Sequence, residues 1–183
     1  MDVLPSRARG FTLVELLVAV AVMAILTSLA IPAFSHMKAR NAMAGSVNLF
    51  LAQLYLARST AIARETHITL CPSADGSSCD DDHQNWQSGY LIFENPNKNR
   101  QLDPGEAIIS HEARTADGIR IQSSSRHRNR ITFRPQGRTW FSNTSIRFCD
   151  DRFPELNRKI VVSNNGRIRL VRTSSGSPVT CRY

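Results

Sequence analysis

The apolar positions of this chain fall into three successive patterns. From Phe11 to Phe34 there are 24 residues with a single charge, Glu15. At about 1.5 Å per helical residue, that run can cross a hydrocarbon layer of roughly 30 Å. The spacing then becomes amphipathic. Met43, Val47, Phe50, Leu51, Leu54 and Ala61 recur at helical intervals, leaving Lys38, Arg40, Gln53 and Arg58 for other faces. This predicts that the helix continues past Pro32 over residues 35–66 and lays an apolar stripe on a sheet of its own domain. Gly45 and the alanine-rich stretch Ala57 to Ala63 are expected to let strands approach closely. From His67 onward the period drops to two, interrupted by turn residues. The expected strands are His67–Cys71, Tyr90–Glu94, Ala107–His111, Ile119–Gln122, Arg130–Phe133, Thr139–Phe141, Ser145–Cys149, Lys159–Ser163 and Arg167–Val171. Asn164-Asn165-Gly166 marks a hairpin between the last two, because Asn-Gly tolerates the positive φ that such turns need. Pro72–Ser88 and Asn95–Glu106 read as polar loops. The fold class that follows is α+β: one long N-terminal helix on an antiparallel sheet, with residues 67–183 as a β-rich globular domain.

Charge adds direction. Arg7 and Arg9 precede the apolar run with no matching pair just after it, which puts the N-terminus in the cytoplasm. An acid within such a run, as Glu15 is, usually serves a function. The net charge of +8 is split along the chain. Residues 65–113 carry nine acids against Lys98 and Arg100, a balance of −7, whereas residues 114–183 carry fourteen arginines and Lys159 against four acids, a balance of +11. Arginine suits bidentate contact with phosphate, so a polyanionic partner is expected: nucleic acid, an acidic lipid surface or an acidic protein.

Cys71, Cys79, Cys149 and Cys181 all lie beyond the apolar run. An even count in an exported domain indicates disulfides, with three possible connectivities. Cys71–Cys79, closing a short polar loop, and Cys149–Cys181, pinning the C-terminal tail to the sheet, are favoured. No C-x-x-C pair suggests zinc. The loop from Glu94 to Glu106 has Asn95, Asn97 and Asn99 at alternating positions with only Asp103 and Glu106 as later acids, too little charge for calcium. Asp80-Asp81-Asp82-His83 reads as surface charge. With no phosphate loop, nucleophile motif or histidine pair, neither catalysis nor a cofactor nor a metal is expected.

The junction Arg9-Gly10-Phe11-Thr12-Leu13-Val14-Glu15 resembles the class III leader of type IV pilins and type II secretion pseudopilins. The resemblance implies a leader over residues 1–10 and cleavage after Gly10 by the prepilin peptidase, which methylates Phe11. It also implies an anchor over residues 11–34 that stays on the mature protein. Glu15 would then meet the N-terminal amine of a neighbouring pilin during assembly, and Pro32 stands at the helix-kinking position many pilins have. Further segments resemble the FimT/GspH group of minor pilins: Leu70-Cys71-Pro72-Ser73, Asp75-Gly76 with Cys79, Trp86–Phe93, Asn95–Glu106, Ile131–Gly137 and Ser163–Leu170. The resemblance implies the type IV pilin fold, storage in the inner membrane and assembly with major and minor pilins into an extracellular filament.

Members of that group implicated in natural transformation carry a Gly-Arg-x-Arg motif that contacts DNA, which stands here as Gly166-Arg167-Ile168-Arg169. Strand alternation predicts Arg167 and Arg169 on one face, with Ile168 and Leu170 entering the core. Gly166 would allow close approach of the backbone to a partner. Arg172 is expected to support the pair, with Arg182, Arg147 or Arg158 extending the strip. Without aromatics at stacking spacing, double-stranded DNA is the expected partner, gripped by its phosphates without base reading. Retraction would carry it inward. The alternative is a structural or priming minor pilin, or a GspH-like pseudopilin, with no DNA role. Arg126-His127-Arg128-Asn129-Arg130 either joins the footprint or is a solvated loop.

Overall fold

The computed structural model describes residues 11–113, 118–139, 141–173 and 179–181. The chain divides into two compact units, residues 1–38 and 39–183. Helix α1 spans Leu13–Ala63 and runs through Pro32. It begins with a reciprocal cap. The Thr12 N–H and hydroxyl donate to Glu15 Oε2 at 2.9 and 3.0 Å, and the Glu15 N–H donates to the Thr12 hydroxyl at 3.3 Å. In the first unit the side chains from Phe11 to Phe34 are exposed. A helix this apolar, with no protein over it, is satisfied by lipid or by other helices.

In the second unit the same helix becomes one-sided. Ala39, Met43, Ser46, Val47, Phe50, Gln53, Leu54, Ala57 and Ala61 form its buried stripe. Gly45 departs from expectation: a Cβ there would meet nothing within 4 Å, so it faces away from the packed side, whereas Ala57 and Ala61 are fully buried.

Among the described residues eight strands form two antiparallel four-stranded sheets. The first is ordered β3 (Ile108–Ala113), β2 (Gly89–Glu94), β1 (Ile68–Pro72), β5 (Ile131–Phe133). The second is ordered β4 (Arg120–Ser123), β6 (Thr144–Cys149), β7 (Arg158–Val162), β8 (Ile168–Arg172). Eight of the nine expected strands are present within one or two residues. Thr139–Phe141 is the exception. Thr139 makes a single bridge to Phe133 after the turn closed by Arg134 N–H to Arg138 O (2.8 Å), and Phe141 then takes a positive φ of 47°, which breaks extended pairing.

Phe50 joins the layers. Its ring lies edge-on to Trp86 (5.5 Å between centroids), Tyr90 (5.0 Å) and Phe148 (5.6 Å), so it touches the turn before β2, β2 itself and β6 of the second sheet. Such edge-to-face pairs add to burial energy. The outer face of the first sheet is covered too. Cys71, Leu91 and Phe93 pack there with Cys79 and Leu102 under the two polar loops. Cys71 is bonded to Cys79 and Cys149 to Cys181. Within the small loop, Asp75 accepts from the N–H and hydroxyl groups of Ser77 and Ser78, which hold its carboxyl well below the usual carboxylate range.

The β7–β8 hairpin turn is bound to the rest of the domain through glycine. Gly166 has φ +78° and is buried, and a Cβ on it would collide with the carbonyl of Gly137. That carbonyl also accepts from Arg58 Nε (3.0 Å), while Thr139 donates through N–H to Asn164 O (3.1 Å) and through its hydroxyl to Ser163 O (3.0 Å). The missing side chain is thus used up inside the protein, correcting the expectation that Gly166 serves close approach to a partner.

Three substitutions test this packing by urea denaturation of residues 39–183. Phe50→Ala should cost about 3–5 kcal/mol, whereas Leu49→Ala, on the exposed side, should stay within about 0.5 kcal/mol. Gly166→Ala should cost at least about 1–2 kcal/mol from its backbone conformation alone, with the Gly137 collision added.

Candidate nucleic-acid interface

Register decides which cations share a face. In the second sheet Ile146, Ile160 and Leu170 are cross-strand neighbours, as are Val162 and Ile168, and the buried Ile146, Ile160 and Val162 define the helix side. The opposite side carries Arg147 directly across from Lys159, and Val161 directly across from Arg169. Arg147, Lys159 and Arg169 therefore stand on one outer face, Lys159 diagonal to Arg169. Arg167 leads into it from the turn, its N–H held by Asn165 Oδ1 at 3.1 Å.

Arg172 does not join them. It pairs with Arg158 on the helix side and lines a pocket with Arg40 and Leu170, correcting the expectation that it supports Arg167 and Arg169. Leu170 also departs from expectation. It points to the helix side but lies at the sheet edge, 36% exposed, so of the apolar pair only Ile168 packs against the main core. Arg182 lies outside the described residues.

The turn packing brings in residues that strand alternation could not indicate. Arg138 follows Gly137, whose carbonyl abuts Gly166, so the Arg138 backbone sits beside the hairpin tip that carries Arg167. Arg128, Arg134 and Arg138 line a depression of about 330 Å³ with Phe141, Asn143 and Asn164 of the same tip. Arg128 Nη1 donates to Asn143 O at 2.8 Å, which orients it there. The 126–130 cluster is thereby divided: Arg128 adjoins the hairpin, while Arg130 is paired with Asp81 at 2.8 Å.

Several cations elsewhere have acid partners. Arg120 meets Asp151 at 2.6 Å, Arg152 meets Asp150 at 3.1 Å, and Arg64 is bonded to Glu94. Among the described residues none of Arg138, Arg147, Lys159, Arg167 and Arg169 takes part in an ion pair. Like charges directly across strands, as Arg147 and Lys159 are, destabilise a sheet. An anion bridging them removes that cost. The array is an open cationic surface, with shallow depressions beside Arg147 and beside Arg138 at the hairpin tip.

The loop from Asn95 to Glu106 is held by its own side chains: Asn97 and Asn99 side-chain amides donate to Asp103 Oδ2 at 2.6 and 2.5 Å, and the Asp103 N–H donates to Glu106 Oε2 at 3.0 Å. At the N-terminal end Phe11 is fully exposed and Glu15 is engaged with Thr12, as above. Gly10 lies outside the described residues.

Comparison with known proteins gives the setting. The family of the type II transport protein GspH matches residues 46–166, and the prokaryotic N-terminal methylation motif matches residues 5–31. The pilin-like protein PilA1 of Thermus thermophilus is 28% identical over 166 residues, covering 88% of this chain and 97% of that protein. The fold is that of the type IV minor pilin FimU of Pseudomonas aeruginosa, with TM-score 0.56 at 20% identity over 72% of this chain and 90% of FimU. A second crystal form of FimU gives 0.52 at 19% identity over 69% and 90%. The chain belongs to the GspH family: it is a minor type IV pilin or pseudopilin, anchored in the inner membrane by its N-terminal apolar helix and assembled with other pilins.

Proposed function

We propose that this minor pilin captures double-stranded DNA on the outer face of its second sheet, for uptake in natural transformation. The observation that carries the reading is the unpaired cation array of Arg147, Lys159, Arg167 and Arg169, with Arg138 at the hairpin tip. Cations on neighbouring strands, about 4.8 Å apart, can grip several phosphates of one backbone. Contacts of this kind position a duplex without reading its bases. Each adds about 0.9 to the slope of log K against log salt. Multiple copies along a filament would raise the effective affinity by avidity.

A structural or priming subunit with no DNA role is the competing reading, and one observation favours it. Residues 65–113 of the same chain are net −7, so a neighbouring subunit of similar composition could cover the basic face.

Assembly rests on the other end of the molecule. Cleavage by the prepilin peptidase after Gly10 frees the amine of Phe11. Glu15, one turn into the helix and already accepting N-terminal hydrogen bonds, is placed to accept that of a neighbour. Fully desolvated, such a pair is favourable only when both partners are present.

Titration of residues 39–183 into unrelated duplex fragments at two salt concentrations separates the two readings. Arg167→Ala/Arg169→Ala should make the salt slope shallower by about 2, with Arg172→Ala leaving it unchanged. Absence of low-salt binding, or an unchanged slope in the double variant, would favour the structural subunit. For assembly, Glu15→Ala should leave the full chain in the inner membrane but remove it from sheared filaments, as read by immunoblot. Normal incorporation would refute the role assigned to Glu15.

A further inference from the structure

On the helix side of the second sheet three other guanidinium groups converge. Arg40 comes from α1, Arg158 from β7 and Arg172 from β8, and together they line a concavity of about 200 Å³. Arg158 and Arg172 are direct cross-strand partners, an arrangement that costs stability when nothing lies between them. Burial lowers the proton affinity of Arg158, and the charges of Arg172 and Arg40 lower it further. Among the described residues no carboxylate forms an ion pair with any of the three. Arg158 Nη1 donates to the carbonyls of Leu156 and Asn157 at 2.7 and 2.9 Å, fixing its head in the wall. The cavity is therefore built, strongly cationic and without a counter-charge among the described residues.

Apart from Asn48, its remaining lining is apolar. Leu156 and the partly exposed Leu170 stand beside the arginines, with Met43 and Val47 at the base. A ligand that matches both features has an anionic head and a greasy neighbour. Arg40 follows Phe34, the end of the apolar span, by six residues. Even a fully extended chain advances only about 3.3–3.6 Å per residue, so Arg40 stays within roughly 20 Å of the membrane boundary whatever the arrangement between them.

We propose that Arg40, Arg158 and Arg172 seat the phosphate headgroup of an anionic phospholipid while the subunit is held in the inner membrane. Planar guanidinium groups bind phosphate bidentately, and cations close to an anionic leaflet are drawn to it. The site lies on the face opposite Arg147, Lys159 and Arg169, so it stands or falls independently of DNA capture. It also gives Arg172, which strand parity turns away from Arg167 and Arg169, a role of its own.

The test is native mass spectrometry of the full chain in detergent micelles, with phosphatidylglycerol or phosphatidylcholine added. The wild-type chain should retain phosphatidylglycerol in preference. Arg40→Gln/Arg172→Gln should lose that retention by at least about fivefold, and Arg40→Gln alone, on the exposed helix surface, should lose part of it without touching the sheet. Arg167→Gln/Arg169→Gln should retain lipid as the wild type does. Equal retention by the wild type and Arg40→Gln/Arg172→Gln would overturn the proposal. So would equal loss in Arg167→Gln/Arg169→Gln, which would mean general charge attraction. Full displacement by inorganic phosphate with no headgroup preference would assign the pocket to a soluble anion and likewise overturn it.

Discussion

The globular unit depends on one constraint: a single helix stripe must fill the space between two sheets. Phe50 stands at the middle of that stripe, edge-on to Trp86, Tyr90 and Phe148. Leu54 and then the smaller Ala57 and Ala61 follow it on the same buried face. Because the helix covers one side of the second sheet, the parity of each strand residue is fixed. Even-numbered residues of β6, β7 and β8 face the helix, and odd-numbered ones face outward. A one-residue slip would exchange every pair. The basic outer face is thus a direct consequence of core packing.

The same parity divides the arginines into two separate anion-seeking groups. Arg147, Lys159 and Arg169 form an outer array continued by Arg167 and Arg138 at the hairpin tip. Arg40, Arg158 and Arg172 form a concave seat on the helix side. On the reading proposed above, the two opposite faces would let one subunit hold membrane and DNA in turn, without either ligand competing for the other's cations. Filament assembly moves the subunit from the first setting to the second.

Much of this was legible in the sequence, because the signals are local. The apolar run, the helical stripe from Met43 to Ala61 and the period-two segments each reflect a repeating physical requirement, and the two disulfides follow the favoured pairing. Other features were not read from local signals. Arg172 was grouped with Arg169 by nearness in sequence, although strand parity already puts position 172 with Ile168 and Leu170. Gly166 was given to a ligand because its partner, the Gly137 carbonyl, is 29 residues away in sequence and visible only in the folded chain. Arg138 and Lys159 were missed for a similar reason. Arg138 reaches the site through a turn-to-turn contact, and Lys159 through its pairing with Arg147. The strand expected at Thr139–Phe141 failed where a positive φ at Phe141 redirects the chain.

Chemical-shift mapping tests the central claim most directly. Isotope-labelled residues 39–183, with both disulfides formed, would be titrated with a short duplex of arbitrary sequence at low salt. The account predicts shifts confined to the outward positions of β6, β7 and β8 and to the hairpin tip from Asn164 to Arg167, with Arg138 moving alongside and β1 to β3 silent. Shifts centred on Arg40, Arg158 and Arg172, or spread over the first sheet, would contradict it.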